Sequence, residues 1–144
     1  MNKSQGNILI IDDDPLILMN YADLLEDSGF NPSTAGACAQ GWNLLRSLSF
    51  DLVVCDHDLG DGKGIDIIKK MEQEGINTPV IYLSAASTGL LEEVRRMPLV
   101  KQVLAKPVSK EELLESVKNY LEESEVDSYP KLINNEERRM LLGN

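Results

Sequence analysis

Histidine occurs once in this chain, at His57, and cysteine only twice, at Cys38 and Cys55, with no Cys-x-x-Cys spacing. That is a poor donor set for zinc. The two cysteines read instead as small buried hydrophobes in a protein of the reducing cytoplasm. Basic residues are also scarce: 14 Lys and Arg against 24 Asp and Glu give a formal charge of −10. With no basic cluster, neither a nucleic-acid backbone nor an anionic membrane surface is a suitable partner. No apolar run approaches the roughly 18 residues of a membrane span. Residues 1–6 lead into the first apolar run without a signal-peptide core. Internal repeats and low-complexity tracts are missing as well. What remains is 144 residues of 42% hydrophobic content. That is enough for one domain burying roughly two-thirds of its unfolded surface, and it argues against disorder.

Four short apolar runs each deliver a polar group at or just past their end. Ile8-Leu9-Ile10-Ile11 leads into Asp12, Asp13 and Asp14, and Leu52-Val53-Val54-Cys55 into Asp56. Val80-Ile81-Tyr82-Leu83 leads into Ser84, and Val103-Leu104-Ala105 into Lys106-Pro107. Such continuous Val/Ile/Leu runs suit strands buried on both faces of a parallel sheet. Ligands of such sheets bind beyond the carboxyl ends of the strands. Carboxylates, a hydroxyl and an ammonium therefore converge at one rim, an inventory that suits a divalent cation and a phosphoryl group.

Helical patterns alternate with these runs. Asp14-Pro15 caps and opens a first helix carrying Ile17, Tyr21, Leu24 and Leu25, with Gly29 ending it. Residues 30–35 read as a short edge strand, because Pro32 removes a ladder donor. Gly41, Leu44, Leu45 and Leu48 share the inner face of a second helix beside Trp42, and Ile65, Ile68 and Met71 that of a third. A fourth helix near 87–97 carries Leu90, Val94 and Met97 before Pro98. A capping box, Ser109-Lys110-Glu111-Glu112, opens a fifth carrying Leu114, Val117 and Leu121. The pattern predicts a doubly wound α/β sheet with right-handed crossovers. Gly60, Gly62 and Gly64 lack both phosphate-loop spacings and read as a turn permitting positive φ.

Taken in order, the motifs resemble the receiver domain of two-component response regulators. They are Ile10-Ile11-Asp12-Asp13-Asp14, Asp51-Leu52-Val53-Val54-Cys55-Asp56, Leu59-Gly60-Asp61-Gly62-Lys63-Gly64, Pro79-Val80-Ile81-Tyr82-Leu83-Ser84-Ala85 and Lys106-Pro107. The resemblance implies a flavodoxin-like five-stranded parallel sheet of order 2-1-3-4-5 with five helices, over residues 7–121. It implies that Asp56 accepts a phosphoryl group from a histidine kinase or phosphotransfer protein, assisted by Ser84 and Lys106. It further implies Mg²⁺ held by Asp13 and Asp56, by Asp12 largely through water, and by the Asp58 main-chain carbonyl. His57 adjoins the expected nucleophile, but strand alternation turns its side chain away.

Three positions bear on output. Asp58 and Ala86 occupy positions that tune water attack in this family, and Val103 stands where many receivers place a reporting aromatic residue. Met97-Pro98-Leu99-Val100-Lys101 replaces the common Gly-Ala turn. Residues 122–144 are expected to form an acidic linker over 122–130 and a short helix over 135–143. The expectation is a stand-alone receiver that signals by protein contacts, a homodimer among them. Two other readings stay open. Asp56-His57-Asp58 matches the start of the haloacid-dehalogenase-type phosphatase motif. That motif usually has Thr or Val where Gly60 stands, and it usually follows the first strand. The other is a degenerate receiver acting as a constitutive scaffold.

Overall fold

The computed structural model describes residues 5–85 and 88–126. Strands and helices alternate: β1 (Asn7–Ile11), α1 (Pro15–Asp27), β2 (Asn31–Ala35), α2 (Cys38–Ser47), β3 (Leu52–Asp56), α3 (Gly64–Gln73), β4 (Val80–Ser84), α4 (Thr88–Arg95), β5 (Val100–Ala105) and α5 (Lys110–Val126). The sheet is parallel throughout, in the order β2-β1-β3-β4-β5. This is the flavodoxin-like order expected, with the switch point between β1 and β3.

Side-chain alternation in the central strands sorts the core into two layers. Ile8, Ile10, Leu52, Val54, Ile81 and Leu83 pack with Tyr21 and Leu25 of α1 and with Leu113 and Val117 of α5. Leu9, Ile11, Val53, Cys55, Val80 and Tyr82 pack with Leu45 of α2, Ile65, Ile68 and Met71 of α3, and Val94 of α4. β1, β3 and β4 are therefore closed on both faces, and their carboxyl ends meet at one rim. None of the described helices is long and apolar enough to cross a membrane.

Local chemistry sets the boundaries. Asp14 caps α1 through Leu16 N at 2.9 Å and Ile17 N at 3.4 Å, with Pro15 following. Ser28 closes the helix, and Gly29 leaves it at φ +96°. Ser109 Oγ accepts Glu112 N at 3.0 Å at the start of α5.

Several expectations are corrected. Leu48 is not on an inner face: α2 ends at Ser47, and Leu48 sits in extended backbone with 54% of its surface exposed. α4 stops at Arg95, so Met97 is buried from the following turn rather than from the helix. In α5 Val117 is fully buried as expected, but so is Leu113, which was not named, while Leu114 packs against the core only partly covered. β5 is an edge strand in which Leu104 alone is buried, and its pairing with β4 shifts register between Val80 and Ile81. Cys55 is buried, but Cys38 is half-exposed. The acidic stretch from Glu122 begins as helix, because α5 runs through Val126. The expected helix over 135–143 lies outside the described residues.

Candidate functional site

Each strand end contributes one piece of the site. Asp12 follows β1, its amide donating to Ala35 O at 3.1 Å, which continues the ladder one residue past the strand. Its side chain is 1% exposed. Oδ1 accepts Asp14 N at 2.9 Å, while buried Oδ2 has no hydrogen-bond partner among the described residues. Asp56 closes β3, 4% exposed and opposite Leu83 in the β4 register. Oxygens of Asp12, Asp13 and Asp56 lie within 4.8 Å of one another. Asp13 is exposed, so the cluster opens to solvent on its side.

Lys106 enters from the end of β5, held by its amide to Ser84 O at 3.1 Å. Its Nζ donates to Asp56 Oδ1 at 3.0 Å and lies 3.9 Å from Asp12 Oδ2. The Lys106–Pro107 peptide bond is cis. Burial works against the Lys106 charge, but the hydrogen bond to Asp56 and the charges of Asp56 and Asp12 outweigh it and raise its pKa. The Asp12 pKa is raised too, which for an acid works against the charged form. Burial, with repulsion from Asp56 and Asp13, raises its pKa against the opposing Asp14 amide and Lys106. Ser84 ends β4 at 2% exposure, paired in register with Ala105.

The fold thus brings Asp12, Asp13, Asp56, Ser84 and Lys106 to one rim. Three crowded carboxylates repel one another by several kcal/mol, of order 4 for each pair at 4 Å and an effective dielectric of 20. Asp12 Oδ2 adds a buried acceptor with no donor among the described residues. Both observations fit a hard divalent cation, which takes one or two carboxylates and keeps several waters.

The other expected positions that the structure describes make separate contacts. The Asp58 side chain is turned outward, 70% exposed and paired with Lys63 Nζ, which holds its carboxyl below the usual range. Val103 is partly buried in β5, opposite Tyr82 in the ladder. Ala86 lies outside the described residues. The His57 ring engages the Tyr82 hydroxyl rather than Asp56.

Two neighbours of the site were not legible beforehand. Tyr82 is fully buried, and burial drives its hydroxyl pKa up. Its ring passes close to Gly64, where a Cβ would lie 3.0 Å from Tyr82 Cε1 and 2.4 Å from the Asp56 carbonyl oxygen. Asp61 caps α2 from a distant loop. The available signal was a missing one: no Ser, Thr, Asp or Asn stands just before Cys38.

The sequence matches the response regulator receiver domain family over residues 8–118. The chain belongs to that family. Receivers are signalling modules that partner with histidine kinases or phosphotransfer proteins and generally bind Mg²⁺ in an acidic pocket. Among curated relatives, the alginate biosynthesis transcriptional regulatory protein AlgB of Pseudomonas aeruginosa is 28% identical over 138 residues. The match covers 96% of this chain and 31% of that protein. Its Pseudomonas putida counterpart is 36% identical over 84 residues, covering 58% of this chain and 19% of the relative. This receiver therefore spans less than a third of the curated relatives compared. A CheY-like receiver domain protein from Methanospirillum hungatei superposes with a TM-score of 0.77 at 26% identity, covering 84% of this chain and 97% of the other.

Proposed function

We propose that this receiver is a phosphorylation-activated switch in which Asp56 accepts a phosphoryl group from a histidine kinase or phosphotransfer protein. The observation that carries the reading is the Asp56 carboxylate, 3.0 Å from the Lys106 ammonium and within 4.8 Å of two further carboxylates. A lone buried acid needs one cation to hold it ionised. Three acids beside one lysine leave negative charge for a second cation to meet.

A carboxylate oxygen of Asp56 attacks phosphorus, the P–N bond to the donor imidazole breaks, and its electron pair leaves on the ring nitrogen. Lys106, already charged and bonded to Asp56, stays in reach of a phosphoryl oxygen. The Ser84 hydroxyl, at the neighbouring strand end, serves as a further donor to the transferred group. Asp13 and Asp56 are the direct Mg²⁺ ligands in this reading, with Asp12 acting through water and the Asp58 main-chain carbonyl completing the protein's share. When bound, Mg²⁺ supplies charge that offsets carboxylate repulsion and the negative charge of the transferring phosphoryl group. Asp58 and Ala86 modulate water attack on the product. The small Val103 leaves output to movement at Ser84 and the segment that follows it. We place the receiver at 7–121 and a tail at 122–144, joined through the continuous helix α5.

Incubation with a small phosphodonor and Mg²⁺, read by intact mass, tests this. A single stoichiometric adduct on the chain, absent from Asp56→Asn, is the expected result. Rapid multiple turnover of the donor would indicate a phosphatase. No adduct on the parent chain would indicate a scaffold, and labelling of the Asn variant would remove Asp56 as acceptor.

A further inference from the structure

α2 starts without a cap of its own. Its N-cap residue, Ala37, is extended at φ −157° and ψ 161° and offers no side-chain acceptor. The acceptor comes instead from the loop between β3 and α3. Cys38 N donates to Asp61 Oδ1 at 2.8 Å, and Ala39 N to Asp61 Oδ2 at 3.2 Å. One carboxylate thus takes two of the orphan amides of a helix more than twenty residues earlier. These amides hold the Asp61 carboxyl below its usual range.

The same loop borders the acidic cluster. Leu59 N donates to Gly62 O at 3.1 Å, Asp58 pairs with Lys63 in an antiparallel bridge, and Leu59 is buried. Gly60, at φ +75°, lies against Asp13, where a Cβ would sit 3.7 Å from Asp13 Oδ2. The inner side of the loop faces the cluster, and its tip is tied to α2 by the Asp61 carboxylate.

We infer that Asp61 is a positioning residue for the metal site. By gripping the start of α2 it fixes the loop that carries the Asp58 carbonyl, in register with Asp13 and Asp56. This rests on the metal assignment made above. Groups that orient metal ligands without touching the ion commonly carry tenfold or more of the affinity.

The test uses the full chain and Mg²⁺ alone, with affinity from calorimetry and metal-free melting temperature measured in parallel. Asp61→Ala is expected to lower the melting temperature and to weaken Mg²⁺ about tenfold. Adding Ala37→Ser supplies a local cap in backbone already suited to one. The double variant is expected to regain its melting temperature and to keep the weak affinity. Asp61→Asn loses the charge but keeps one acceptor, and is expected to fall between the parent and Asp61→Ala. Recovery of Mg²⁺ affinity in the double variant would make Asp61 a helix cap and nothing more. Equal losses in the Asn and Ala variants would make it a remote charge. Full affinity in Asp61→Ala would also overturn the inference. Failure of the parent chain to bind Mg²⁺ would remove the metal assignment and, with it, this role for Asp61.

Discussion

Asp12→Asn is expected to stabilise the metal-free protein. Asp12 lies within 4.8 Å of both Asp13 and Asp56 and 3.9 Å from Lys106 Nζ. At an effective dielectric of 20, each repulsion costs about 3.5 kcal/mol and the attraction returns about 4. The balance of roughly 3 kcal/mol shrinks because Asp13 is solvated and screened, leaving about 1–2 kcal/mol. Asn keeps the Oδ1 acceptor that Asp14 N uses and removes the charge at the orphaned Oδ2. The pH dependence follows from the raised pKa. An acid that holds its proton more tightly when folded lowers stability as pH rises from its ordinary 3.8 through the raised value. The advantage of Asn is therefore full at neutral pH and fades as pH falls through the raised Asp12 pKa. Mg²⁺ reverses the ranking, since saturating a site at a hundred times its dissociation constant stabilises by about 2.7 kcal/mol. Urea unfolding at pH 7 and in steps toward pH 4, with and without Mg²⁺, measures all of this. A metal-free Asn variant less stable than the parent at pH 7 would refute the argument.

The acidic triplet divides by role. Asp13→Ala weakens Mg²⁺ binding, whereas Asp14→Ala costs about 1 kcal/mol of stability and leaves Mg²⁺ affinity unchanged by calorimetry. Gly64→Ala costs about 1–3 kcal/mol and slows Asp56 labelling, because its Cβ meets the Asp56 carbonyl oxygen at 2.4 Å. Gly41→Ala is expected to cost less: its Cβ meets side-chain atoms of Ile11 rather than backbone, Cδ1 at 2.8 Å, Cγ1 at 3.3 Å and Cγ2 at 3.4 Å, and helix propensity returns about 1 kcal/mol. Equal losses in the two glycine variants would show that the close approach at Gly64 is not the cause. Tyr82→Phe strands the His57 ring nitrogen that its hydroxyl meets and costs about 1–2 kcal/mol in urea unfolding, with the secondary structure unchanged by circular dichroism.

Element type and order were legible in the chain because each strand is a short apolar run and each helix an apolar stripe. The polar residue after each run identified the rim, and Asp14-Pro15 and Ser109 announced two helix starts that the structure retains. Those signals are local in sequence, and local chemistry suffices to produce them. Burial at the sheet edge was not legible. Val103-Leu104-Ala105 has the composition of an interior strand, yet β5 has one neighbour and buries only Leu104. Leu48 was misplaced because a periodic stripe does not say where the helix ends, and Leu113 was missed because it does not say which of two adjacent leucines lies deeper. The orphaned oxygen of Asp12, the Asp58–Lys63 pair, the Tyr82–His57 contact and the grip of Asp61 on α2 belong to tertiary structure alone. Each joins groups whose partners are chosen by packing across strands and loops, and a single chain read in order carries no distance between them.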